Sequence, residues 1–178
     1  MISRRRERGT WSSTQTRTPS GAFESVQRIE FPMPVVERSA AGARRLGELY
    51  WREIERASFG LIRARATAGR VQIRLFGLAP ALLRFGRPEH EVAARSVSCV
   101  FPIRGGLLAR APVGSISFTQ TGSDAVEVRS AISGFFPRLA ARRQRRHWNG
   151  LLYPHVQARL HVALGRRYFA RLWLEAAR

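Results

Sequence analysis

The chain has 178 residues, with 31 basic and 12 acidic side chains and a formal net charge of +19. Every basic residue is an arginine, which excludes Schiff-base enzymes and phosphate-binding loops that depend on a lysine. Cys99 is the single cysteine, so an internal disulfide, a cysteine-rich zinc site and a CxxC redox pair are also excluded. The length predicts one domain, with enough chain to bury about two thirds of its unfolded surface.

Residues 1–23 predict a disordered basic leader in front of a single folded domain over residues 24–178. The leader is rich in Arg, Ser and Thr, shows no hydrophobic periodicity and lacks the apolar stretch of a secretory signal. No apolar run elsewhere approaches the roughly 18 residues that a membrane-spanning helix needs. We therefore expect a cytoplasmic protein.

Hydrophobic spacing predicts a strand, a helix, several strands and a C-terminal helix, in that order. Apolar and polar residues alternate over Ser25–Phe31, whereas Val36–Ala57 repeats every three or four residues, as amphipathic helices do. Residues 80–88, bracketed by two prolines, predict an irregular or short helical stretch. Pro154 suits the first turn of a helix from about residue 151 to the end. Strand-like alternation occurs in segments separated by turns, around residues 62–66, 71–75, 97–103, 114–118 and 126–132.

Strands that follow one another through short turns pair as neighbours, and the C-terminal helix is the candidate cover for their apolar face. The predicted fold class is therefore α+β. The segments SVQRIEF, VERSAAGARRLGELYWREIERAS, RSAISGF and LLYPHVQARLHVALGRRYF occur in an order that resembles the helix-grip fold of the START/polyketide-cyclase-like superfamily. This resemblance covers residues 25–178 and implies a curved antiparallel β-sheet packed against the long C-terminal helix. It also implies a small hydrophobic molecule held between them.

Seven residues are candidates to line such a ligand site. An arginine in a strand could pair with the carboxylate of a lipid- or polyketide-like acid, although the alternative is that it extends into solvent. Cys99 is spaced for the apolar face of a strand, where a free cysteine behaves as a small hydrophobe. The candidates are Arg63, Cys99, Phe101, Arg104, Phe118, Tyr153 and His155.

The segment 138–148 is the most basic part of the chain and ends in a tryptophan. Its arginines could neutralise phosphates while the indole stacks on a base, which would give nucleic-acid binding. An anionic membrane surface suits the same composition, and a solvated arginine-rich helix is the third interpretation. No helix-turn-helix, RNP sequence, KH loop or zinc-finger spacing accompanies the segment. The residues in question are Arg138, Arg142, Arg143, Arg145, Arg146 and Trp148.

The sequence assigns no catalytic residue, metal ligand or cofactor. Glu89, His90 and Glu91 form the one dense cluster of potential ligands or bases, and their simplest interpretation is a solvated loop. We predict binding of a small hydrophobic or amphipathic ligand between the sheet and the C-terminal helix. The alternative is a nucleic-acid-binding protein acting through residues 138–148, and whether a reaction is catalysed stays open.

Overall fold

A computed structural model describes residues 10–78, 80–138 and 152–177, with the backbone alone described for residues 152–161. Within these ranges the chain forms nine strands and two helices. The strands are β1 (Trp11–Arg17), β2 (Phe23–Phe31), β3 (Ile62–Thr67), β4 (Arg70–Leu75), β5 (Leu83–Phe85), β6 (Glu89–Ala93), β7 (Ser96–Gly105), β8 (Ser115–Gly122) and β9 (Val126–Phe135). The helices are α1 (Ala40–Ala57) and α2 (Leu152–Ala176).

The strands form one antiparallel sheet in the order β1–β2–β9–β8–β7–β5–β4–β3, with β6 paired to β7 beside β5. Strand alternation decides which face becomes the core. In β7, Val97, Cys99, Phe101 and Ile103 are buried, as the spacing predicts. The α+β class with a curved antiparallel sheet and a long C-terminal helix is confirmed.

Helix α1 covers the centre of the inner sheet face. Ser39 caps its N-terminus, since the Ser39 hydroxyl accepts a hydrogen bond from the Gly42 amide at 3.1 Å and so satisfies an otherwise unpaired N–H of the first turn. Its buried side carries Tyr50, which contacts the Phe118 ring of β8 with centroids 4.7 Å apart. The aromatic side chains of α1 thus fill the part of the core that the C-terminal helix alone was expected to cover.

Helix α2 packs its described half against α1 and β2. Tyr168 is fully buried and its hydroxyl donates to the Leu46 carbonyl of α1 at 3.1 Å. A side chain at Gly165 would collide with Gln27 of β2, so glycine allows the helix to approach the sheet there. Phe31 stacks on Trp173 at a centroid distance of 5.6 Å. Both helices therefore lie on the same sheet face and share one core.

Two of the predicted elements are corrected. Strand β1 falls within the expected disordered leader and pairs with β2 from Trp11 to Arg17. The strand was not predicted because its half-buried positions after Trp11 are the polar Ser13 and Gln15, so apolar and polar residues do not alternate there. The expected irregular or helical stretch after Pro80 instead contains β5, and β6 follows it.

No helix in the described ranges is long and apolar enough to cross a membrane.

Candidate functional site

An apolar cavity of about 290 Å³ lies between the sheet and the two helices. The inner face of most strands of the sheet forms one wall. The second half of α1, part of α2 and the connections that follow β4, β7 and β9 form the others. The described lining residues are Phe23, Tyr50, Trp51, Ile54, Ile62, Ile73, Leu82, Leu83, Phe85, Ile103, Leu108, Ile116, Ile132, Phe135, Pro137 and Leu164. No described lining residue carries a formal charge.

The cavity lies beside the C-terminal part of α1, where the helix no longer covers the inner face of the sheet. Tyr50 and Trp51 are buried, whereas Ile54, one turn later on the helix, is half-buried. On the opposite wall Ile62 and Ile132 are also half-buried although they point to the inner face. These side chains have a free surface on the core side of the sheet, which a well-packed interior would not leave.

Two polar atoms belong to the lining residues. One is the Tyr50 hydroxyl, and the other is the Trp51 indole N–H, which is buried without a hydrogen-bond partner in the described part of the chain. Burial raises the pKa of Tyr50 well above its ordinary value, so this hydroxyl stays protonated as a neutral donor. A ligand with one acceptor oxygen would find a donor in Tyr50, while the rest of the wall favours hydrocarbon.

Three of the predicted ligand residues lie in the packed core and do not line the cavity. Cys99 and Phe118 are fully buried, and Phe101 is 4% exposed. A side chain at Gly47 of α1 would come within 2.6 Å of the Phe101 ring, so helix and strand are in close contact there. Burial, and secondarily the charge of Glu48, raises the pKa of the Cys99 thiol to about 12.

The predicted arginines lie on the outer face of the sheet. Arg63 is exposed on β3, and Arg104 lines an open groove of about 710 Å³ across β4, β5 and β7. Arg70, Arg84 and Arg87 share this groove with the carboxylate of Glu89. Among the described residues, no ion pair or side-chain hydrogen bond joins the guanidinium groups of the groove arginines to another residue. Both predicted arginine side chains are exposed on this outer face, where Arg63 Nε donates to the Gly60 carbonyl at 3.4 Å.

The remaining predicted residues are only partly within the described ranges. Tyr153 and His155 belong to the first turns of α2, for which the structure describes the backbone and not the side chains. The Arg138 amide donates to the Leu108 carbonyl at 2.8 Å, next to the bridge that pairs Ala109 with Pro137. Arg142, Arg143, Arg145, Arg146 and Trp148 lie outside the described residues. The nucleic-acid and membrane interpretations of that segment stay predictions.

The cluster at residues 89–91 is a strand and not a loop. Glu89, His90 and Glu91 belong to β6, and all of its side chains are exposed. Across the described ranges, no three His, Cys, Asp or Glu side chains stand close enough together to hold a metal ion.

Sequence reasoning missed most of the residues that line the cavity. Ile73, Ile116 and Ile132 could be placed on the inner sheet face from alternation alone, because they follow the period of their strands. Alternation does not tell whether an inward side chain meets a helix or an empty space. That depends on where α1 ends, and thus on tertiary packing.

No family model matches the sequence, and no curated protein matches it. One similar solved structure is the crystal structure of CalU16 from Micromonospora echinospora, which is 13% identical. The match covers 70% of this chain and 67% of that chain with a TM-score of 0.34, a level of likeness that assigns neither a family nor a function.

Proposed function

We propose that the protein binds a small hydrophobic or amphipathic molecule in the cavity between the sheet and the helices. The observation that supports this is the cavity itself, about 290 Å³ of space walled by apolar side chains. Concave sites walled mostly by apolar side chains with a few polar groups are the usual form of small-molecule sites. The cavity lies near the lower end of the size range of known ligand pockets.

The lining residues favour a neutral, mostly apolar ligand with one acceptor oxygen. Arg63 and Arg104 lie on the opposite sheet face, so the proposal contains no arginine–carboxylate pair. Tyr50 is the proposed polar contact, since a protonated phenol donates well to a ketone, ester or ether oxygen. Lipid-like and polyketide-like molecules both offer this combination. Membership of the START/polyketide-cyclase-like superfamily, which the element order resembles, is part of the same proposal.

The first test is direct detection of a ligand. The full chain is purified in high salt after nuclease treatment and its mass is measured under native conditions. We expect an adduct of a small molecule that disappears after organic extraction. The stripped protein is then titrated with the neutral apolar probe N-phenyl-1-naphthylamine, and binding is followed by quenching of tryptophan emission, because Trp51 lines the cavity.

A matched pair of variants places the binding site. Ile132→Phe adds volume at the cavity wall on β9, whereas Ile29→Phe makes the same change at a half-buried position of β2 outside the cavity. We expect Ile132→Phe to weaken probe binding by about tenfold or more, which corresponds to roughly 1.4 kcal/mol. Ile29→Phe should retain the affinity of the unmodified protein. Equal effects of the two variants, or no quenching in the unmodified protein, would refute the proposal.

The role of Tyr50 is tested with two probes that differ in one oxygen. Tyr50→Phe should weaken binding of 2-acetylnaphthalene severalfold and leave 2-ethylnaphthalene unchanged, because only the ketone accepts a hydrogen bond. An equal loss for both probes would mean that Tyr50 contributes shape alone.

A further inference from the structure

Two neighbouring loops form an exposed apolar tip at one end of the sheet. One loop joins α1 to β3 and the other follows β4. Five large apolar side chains in these loops and at the end of β4 are exposed, and they define the apolar tip: Phe59 (92%), Leu78 (66%), Phe76 (57%), Leu61 (47%) and Leu75 (45%). The Phe76 amide donates to the Leu61 carbonyl at 2.6 Å, so the two loops lie side by side. Contiguous exposed apolar surface of this kind marks an interaction site.

The tip is built from the same tripeptide twice, Phe-Gly-Leu at residues 59–61 and again at 76–78. Phe59 and Phe76 both have a φ of +52°, a left-handed conformation that bulky residues rarely adopt. In the second loop the Leu78 amide donates to the Leu75 carbonyl at 2.9 Å, which closes a two-residue turn normally made by Asn-Gly. Phenylalanine is the less favourable residue for the backbone at both positions, so local folding does not explain why these rings are exposed.

Arginine side chains border the tip on the outer sheet face. The position of a Cβ at Gly77 is 3.6 Å from Cδ of Arg63 and 3.7 Å from Nη2 of Arg65, so both arginines lie alongside the turn that carries Phe76. Arg74 lies opposite Arg63 in the strand register. Among the described residues no carboxylate pairs with any of the three, and Glu55 nearby accepts the backbone amide of Ala64 instead. Like charges directly opposite one another destabilise a sheet, so a negatively charged partner would relieve a cost already present.

We propose that the apolar tip, with Arg63, Arg65 and Arg74 beside it, is a docking surface for an anionic lipid bilayer. The exposed phenylalanine and leucine side chains enter the boundary between headgroups and acyl chains, while the guanidinium groups bind phosphate at the headgroup level. Apolar contact and basic charge are the two contributions that peripheral membrane binding combines. The net charge of +19 adds long-range attraction to the same surface. A second copy of this chain fits less well, because tip-to-tip contact would oppose arginine with arginine.

The test is co-sedimentation of the full chain with vesicles. One set contains phosphatidylcholine alone, and the other contains phosphatidylcholine with phosphatidylglycerol. We expect binding to the anionic vesicles that weakens at high salt, and little binding to the neutral ones. The double variant Phe59→Asn, Phe76→Asn should reduce partitioning by about tenfold or more. Asparagine tolerates the left-handed backbone, so this variant should retain its fold, which thermal unfolding checks.

Two controls separate the tip from general surface properties. Val92→Ser removes an exposed apolar side chain from β6, and it should leave vesicle binding unchanged. The pair Arg63→Gln, Arg65→Gln is compared with Arg95→Gln, Arg129→Gln, which removes equal charge elsewhere on the surface. Only the first pair should weaken binding severalfold.

Three results would overturn the proposal. The first is that the protein binds neither the neutral nor the anionic vesicles. The second is equal loss in both arginine pairs, which would mean general charge attraction. The third is concentration-dependent self-association that the asparagine variant abolishes without any vesicle binding, which would make the tip a contact between copies of the chain.

Discussion

Replacing Gln120 with leucine tests how the segment before α1 is anchored to the sheet. Gln120 is 1% exposed, and its Oε1 accepts hydrogen bonds from the amides of Val35 at 2.8 Å and Val36 at 3.0 Å. Its Nε2 donates to the Val36 carbonyl at 2.9 Å. One side chain on β8 therefore satisfies three buried backbone groups four to five residues ahead of the α1 helix.

The leucine variant leaves all three backbone groups without these partners. A buried group deprived of its partner costs about 1–3 kcal/mol, and local relaxation with water entry together with the added apolar contact of leucine offset part of the sum. We expect the free energy of unfolding to fall by about 3 kcal/mol, measured by urea denaturation with circular dichroism. A loss below about 1 kcal/mol with an unchanged denaturant slope would refute the reasoning.

Gln120→Glu is the matched variant for the same site. Its protonated form keeps one acceptor and one donor, whereas its ionised form loses the donor and buries a charge, so folding raises the pKa of the new carboxyl. A raised pKa means that stability is fully present below the pKa of the unfolded chain and is lost as the pH rises through that of the folded protein. The free energy of unfolding of the glutamate variant should therefore be close to that of the unmodified protein in acid and lower than it at neutral pH. Parallel pH profiles of the two proteins would contradict this account.

Two further outcomes follow from the close packing beneath the cavity. Cys99 should resist disulfide-exchange reagents in the folded protein and react at the rate of unfolding, because it is fully buried and its pKa is raised to about 12. Fast labelling of the thiol in native buffer would contradict this expectation. Gly165→Ala should lower the melting temperature although alanine favours helices, because the new methyl group would collide with the amide group of Gln27, which is fully buried. An increase would show that the Gln27 side chain or α2 can shift to make room.

The elements that could be predicted are those whose burial follows a single period. In β7 the apolar side chains of Val97, Cys99, Phe101 and Ile103 recur at every second residue, because that face of the strand meets the core. Helix α1 shows its 3.6-residue period for the same reason, and on its solvent side Glu48 and Arg52 form an ion pair at 3.6 Å. In β1 the pairing partner supplies the stability, and the Arg166 guanidinium of α2 lies 4.5 Å from the Trp11 ring centroid. Neither contact leaves a pattern in residues 11–17.

The sequence predicts a space between the sheet and the C-terminal helix, but it does not predict which residues line the cavity found there. Aromatic residues such as Phe101 and Phe118 are natural candidates for a ligand pocket, but large side chains are also what packs tightly beneath a helix. Gly47 decides between the two, since its missing side chain lets α1 settle onto Phe101. The space remains further along the sheet, beside smaller aliphatic residues such as Ile62 and Ile132. Nothing in their local sequence distinguishes them from ordinary core positions.

The cavity and the apolar tip meet at consecutive residues, since Leu61 belongs to the tip and Ile62 lines the cavity. An apolar ligand that entered beside β3 from a bilayer would therefore cross little water on its way. The two proposals nevertheless stand on different atoms and fail separately. Phe59→Asn with Phe76→Asn should weaken vesicle binding by about tenfold or more and leave the affinity for a dissolved apolar probe unchanged. Ile132→Phe should weaken probe binding by about tenfold or more and leave vesicle binding unchanged. Loss of both activities in either variant, with the fold intact, would mean that probe and bilayer compete for one continuous surface.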